Sequence, residues 1–146
     1  MQLSFLIVTL LGGIALAVQV GLNSVLRNAF GNATAAVLVN FLVGLLALLV
    51  VARVMRVPLA VRDAVTGAPW WAWLGGILGA FYVTVAVLMG PRIGITALLA
   101  LTVAGQLLAA LAMDHYGLLG MAQQSITVAK LAGSALLIAG VLLIVR

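Results

Sequence analysis

The sequence has no cysteine, no glutamate, two aspartates and a single histidine among its 146 residues. Without cysteine there is no disulfide framework, no thiolate metal site and no cysteine nucleophile. With seven Lys or Arg and two Asp in all, a water-facing shell cannot be built, since a soluble domain carries about a quarter charged residues. A soluble globular protein is excluded. Intrinsic disorder is excluded too, because hydrophobic residues make up 66% of the chain. The formal charge of +5 does not point to nucleic acid, because the basic residues are scattered singly and form no patch. What remains is a polytopic membrane protein.

Long apolar runs fill the chain. A membrane helix needs about 20 mostly apolar residues, and five such runs occur, over residues 3–22, 33–52, 71–90, 93–113 and 127–145. Outer-membrane strands alternate apolar and polar over about 10 residues. Nothing here alternates, so helices are expected, and lipid leaves an open-ended backbone no other way to pair its polar groups. The prediction is an all-α bundle of five spans in one integral membrane domain, 1–146. The first run is read as a retained helix, not a signal peptide. Met1–Ser4 carries only the terminal amine, and Gln19 and Asn23 stand where a cleavage region would be small and plain.

The connections are expected to be short. Residues 23–32 read as a polar turn, 53–69 as the longest loop and Gly90-Pro91-Arg92 as a tight hairpin, where the missing proline N–H costs little. Asp114-His115-Tyr116-Gly117 opens the last loop. Trp70, Trp71 and Trp73 read as an interfacial anchor. There is no room for a soluble catalytic domain, and no nucleophile cluster, HExxH or phosphate-binding loop is present. A lone His115 cannot hold a metal without partners. No enzymatic activity, cofactor or metal is expected.

The spans do contain neutral polar groups at similar depth. At 1.5 Å per residue, Gln19, Asn40, Tyr82, Thr84, Thr102 and Gln106 fall near the midplane. Gln19 and Asn23 lie at i, i+4, as do Thr102 and Gln106, so each pair shares a helix face. Amides in lipid must find partners. They act either as interhelical glue, worth about 1 kcal/mol each, or as the lining of a substrate cavity. Gln19, Asn23, Asn40, Tyr82, Thr102 and Gln106 are the cavity candidates. Arg92, Asp114 and His115 border the spans as gating or interfacial groups. Histidine as a residue type titrates near neutrality, and a neighbouring carboxylate would hold its proton. Small residues give close-packing faces at Gly75-Gly76/Gly79 and at Gly133/Gly140. The second is the candidate dimer contact.

With these residues in hand, the sequence resembles the YdcZ-like family of the drug/metabolite transporter superfamily, small five-span inner-membrane proteins. The likeness is carried by GIALAVQVGLN ending at Asn23, NFLVGL from Asn40, WWAWLGGILGAFY ending at Tyr82, and PRIG from Pro91. Gly105-Gln106, Asp114 to Gly117 and the Gly133 to Gly140 stretch complete it. Family members usually have Phe where Tyr116 stands. The resemblance implies one half of an inverted-repeat transporter, located in the bacterial inner membrane. Four-span relatives exchange protons through a membrane Glu in the first helix, whereas this chain has Gln19 and no Glu.

The expected function is secondary transport, exporting a small metabolite or xenobiotic by alternating access as a dimer. The alternatives are a non-transporting membrane subunit or scaffold and a passive channel. The expected partners are the bilayer, a small-molecule substrate and either a second copy, antiparallel, or a paralogue. Five spans put the termini on opposite sides. Arg53, Arg56, Arg62 and Lys130 then face Arg27, Arg92 and Arg146, four against three. Orientation follows the Lys/Arg excess, so this chain carries almost no instruction.

Overall fold

The computed structural model describes residues 2–58 and 60–146. Met1, in the segment whose only expected charge is the terminal amine, and Leu59, in the 53–69 stretch expected to be the longest loop, lie outside them. The described residues are helical with no strand, and five helices are long and apolar enough to cross a membrane. They fall into two units, Met1–Arg92 and Ile93–Arg146.

In the first unit, α1 (Gln2–Phe30) packs on α2 (Ala33–Val54). The polar turn expected at 23–32 is not a turn: α1 continues through it to Phe30. Asn23 and Arg27 sit one helical turn apart, so they extend one face of the helix. Neither Gly nor Pro interrupts until Gly31, which takes φ +64°. Asn32 then caps α2, its Oδ1 accepting from the Ala35 amide at 3.1 Å. The 53–69 loop holds a short helix, α3 (Val61–Gly67), and the tryptophans form a 3₁₀ turn, Trp70–Trp73, leading into α4 (Leu74–Ile93). Gly90-Pro91-Arg92 is not a hairpin either. It lies inside α4, and the chain breaks at Gly94, where φ is +84°.

A thin seam of buried side chains joins α2 to α4, namely Val37, Val83 and Val87, with Ala33 and Tyr82 packed on it. The outward faces are apolar and exposed, as in Leu38, Leu42 and Phe81, which is what a helix bathed in lipid requires.

In the second unit, α5 (Ile95–Tyr116) packs on α6 (Val128–Val145). Helix α5 runs through Asp114 and His115 and ends at a left-handed Gly117, whose amide donates to the Met113 carbonyl. A 3₁₀ turn (Leu118–Gly120) and an extended segment lead to Thr127, whose Oγ1 caps α6 by accepting from the Lys130 amide at 3.2 Å.

Candidate functional site

The polar layer of the first unit is assembled by α1, α2 and α4. Gln19 on α1 donates through Nε2 to Asn40 Oδ1 on α2 at 3.3 Å. Tyr82 on α4 faces the same groove, and its hydroxyl is buried without a hydrogen-bond partner. A buried hydroxyl left without a partner in a native fold asks for an explanation. The groove has a volume of about 490 Å³ and apolar walls that include Leu16, Phe41, Leu45 and Val83. A second groove of about 410 Å³ shares Gln19 and Asn40 and adds Asn23, which is 3% exposed. Three α-helices thus aim neutral polar groups at one place.

Thr84, placed at the same depth by sequence, donates to its own helix at Ala80 O (2.8 Å), a local bond common for mid-helix threonine. Thr102, half-buried, and Gln106, exposed, lie on α5 in the second unit. Arg92 is exposed in the last turn of α4.

Sequence reasoning missed Arg27. Its guanidinium donates to the carbonyl of Val87 at 3.1 Å. In an α-helix that carbonyl would accept from the N–H four residues on, which is Pro91, and proline has none. Val87 is fully buried, so water cannot substitute. Arg27 supplies the hydrogen bond that Pro91 removes. The expectation that the missing N–H would cost little is corrected accordingly: the carbonyl is orphaned in the interior and needs a partner from another helix. The available signal was an arginine near the end of one span and a proline near the end of another, on the same side of the membrane.

In the second unit, Asp114 pairs with Lys130, Oδ2 to Nζ at 4.0 Å, the one ion pair among the described residues. Lys130 also donates to Gln124 Oε1 at 3.2 Å. Each charge stands at the unfavourable end of its helix, the cation in the first turn of α6 and the anion in the last turn of α5. Helix dipoles oppose both placements, and the pairing offsets them. Gln123 donates to the His115 carbonyl at 2.8 Å, and the Gln124 amide to the Asp114 carbonyl at 2.7 Å. The His115 ring meets Tyr116 edge-on at 4.9 Å, with its Nδ1 buried and unpartnered. Lys130 had counted only toward topology; its place beside a 250 Å³ recess with Asp114 and Gly133 was not anticipated. Because both side chains are about one third exposed, the pair is worth no more than about 1 kcal/mol. Asp114→Asn and Lys130→Gln are expected to be non-additive in thermal unfolding, with the double variant close to the milder single one. Strict additivity would deny the pair.

Residues 4–143 match the model of the family described as "Putative inner membrane exporter, YdcZ". The chain belongs to the YdcZ family. It is 27% identical to the inner membrane protein YdcZ of Escherichia coli (strain K12) over 146 residues, covering 100% of this chain and 95% of that protein. No solved structure matches the chain. YdcZ-family membership places this protein in the inner membrane and supports transport over enzymatic activity.

Proposed function

We propose that this YdcZ-family protein is a secondary transporter that exports a small metabolite or xenobiotic by alternating access. Substrate binds in the groove at Gln19, Asn40 and Tyr82, near the middle of the three helices, where transporters commonly hold their cargo. One observation carries the reading: a bonded amide pair and a tyrosine whose buried hydroxyl has no partner line one apolar groove. Packing alone would be expected to pair that hydroxyl. Purified protein in liposomes, loaded with a panel of metabolites and tested for counterflow, checks the proposal. Trans-stimulated exchange is expected. Flux without trans-stimulation means a channel, and no flux across the panel favours a scaffold. In the same assay Asp114→Asn and His115→Ala, changes at the proposed gating groups, are expected to lower flux. Flux at the wild-type rate removes their gating role.

The working unit we propose is a dimer, with two copies antiparallel or with a paralogous partner of opposite bias. Five spans and a Lys/Arg count of four against three support insertion in both orientations. Opposed copies would restore the symmetry of an inverted-repeat transporter. The Gly133/Gly140 face of α6 is the proposed contact. A Cβ added at either glycine meets nothing within 4 Å, so neither is held by close packing in the chain. Cytoplasmic and periplasmic reporters fused to the C-terminus are both expected to be active. Activity from one alone rules out the antiparallel homodimer. Disulfide cross-linking of Gly133→Cys and Gly140→Cys variants tests the contact separately.

A further inference from the structure

The chemistry of the groove walls specifies the charge of what they hold. No acidic or basic side chain lines the groove. The nearest charge along α1 is Arg27, eight residues from Gln19, or about 12 Å at the helical rise, and its guanidinium is engaged by the Val87 carbonyl. Along α2 the nearest is Arg53, thirteen residues from Asn40, about 20 Å from the polar layer, though only about 7.5 Å beyond Leu48 at the groove's end; along α4 it is Arg92, ten residues from Tyr82, about 15 Å. The one acidic residue of the first unit, Asp63, belongs to α3, outside the spanning helices. A charged ligand in this groove would lose water and gain no counter-charge, which is strongly unfavourable in a low-dielectric setting.

The polar atoms present are of one kind. The Gln19–Asn40 bond uses one N–H and one carbonyl oxygen, leaving an amide carbonyl and an amide NH₂. Turning both amides over exchanges the roles and keeps the same balance. Tyr82 adds a buried hydroxyl without a protein partner, able to donate to and accept from a ligand that reaches it. The rest of the wall is aliphatic or aromatic, and Gly44 and Gly79 keep the groove wide.

Resting on the groove being the transport site, we propose that it selects uncharged amphiphiles: an apolar body carrying one neutral group that both donates and accepts, such as a carboxamide. It discriminates against organic cations and carboxylates. A cavity of about 150 Å³ accommodates benzene, so a groove of about 490 Å³ has space for a bicyclic aromatic amide.

The test uses three probes of one shape, 2-naphthamide, 2-naphthamidinium and 2-naphthoate. Their binding to the full-length protein in nanodiscs is measured calorimetrically at pH 8 and corrected for partition into empty discs. The neutral amide is expected to bind at least tenfold more tightly than either ion. Tyr82→Phe should weaken the amide about fivefold, and Gln19→Leu should weaken it further. Gln19→Glu should reverse the preference toward the amidinium. Comparable binding of either ion to the wild type overturns the neutral class while leaving the groove as a site. Amide binding that ignores both Tyr82→Phe and Gln19→Leu means the probe sits elsewhere, which overturns the groove reading itself. Binding by none of the three overturns the proposal, and counterflow then decides transport independently.

Discussion

Arg27→Leu is expected to destabilise the protein by about 2 kcal/mol or more, the cost of leaving a buried acceptor without its charge-assisted partner. The acceptor is the Val87 carbonyl, fully buried and 3.1 Å from the guanidinium. The expectation is specific because the need for Arg27 is created by Pro91. Pro91→Ala returns an N–H to α4, which can satisfy Val87 from within the helix. In that background Arg27→Leu should cost much less, giving a coupling of at least about 1 kcal/mol in a double-mutant cycle. Unfolding of the four proteins in nanodiscs supplies the measurement. Arg27→Lys, which keeps the positive charge relevant to membrane orientation, should be intermediate, since the ammonium is a more compact donor on a flexible stem. If the effects of Arg27→Leu and Pro91→Ala simply add, the arginine is serving some other group.

Transport is expected to fall at least tenfold in the Gln19→Leu/Asn40→Leu double variant while insertion and folding persist. The double change is more informative than Gln19→Leu alone. A single substitution strands the Asn40 amide, which lost its water on entering lipid, and a folding defect would then mimic a transport defect. Replacing both partners by apolar groups removes the donor and the acceptor together, which is close to neutral for stability. If the bond is only interhelical glue, worth about 1 kcal/mol, the double variant should be stable and transport at wild-type rates. If the amides hold substrate, it should be stable and inactive. Protein yield and thermal unfolding measured alongside counterflow separate the two outcomes. Tyr82→Phe removes one hydroxyl that makes no bond within the protein. It should therefore leave stability unchanged or slightly raised and lower flux severalfold.

These two sites stood differently in the sequence. The groove was partly legible, because Gln19, Asn40 and Tyr82 are conspicuous in apolar surroundings and fall at one depth by counting residues at a fixed rise. Counting could not show that Gln19 bonds Asn40 or that the tyrosine hydroxyl is left over. Nor could it give Thr84 its local bond to Ala80. The Arg27 contact was hidden further, since residues 23–32 read as a turn by their polarity. A run of Asn, Ser and Arg looks like loop, yet no Gly or Pro stops the helix before Gly31. Likewise Gly-Pro at a span end reads as a hairpin, although a proline near the helix terminus is tolerated once another group bonds the carbonyl four residues before it, here that of Val87.

The sequence by itself determined that the protein lives in a membrane, that it crosses five times as helices, and where the tryptophan cluster and the apolar runs lie. Those properties follow from composition and run length, because lipid accepts apolar side chains and demands that the backbone satisfy itself. The matched motifs, from Gly13 to Gly140, also carried the family. Only the tertiary structure decided which groups meet: the Gln19 and Asn40 side chains, the Arg27 guanidinium and the Val87 carbonyl, and the Asp114 and Lys130 side chains. The physical reason is rotational. A soluble helix announces its inward face by an apolar stripe, whereas these helices are apolar around most of their circumference, broken on α1 by the line of Gln19, Asn23 and Arg27. Their rotation about their own axes is set by a few polar pairings and small-residue contacts, and those exist only once the helices are packed.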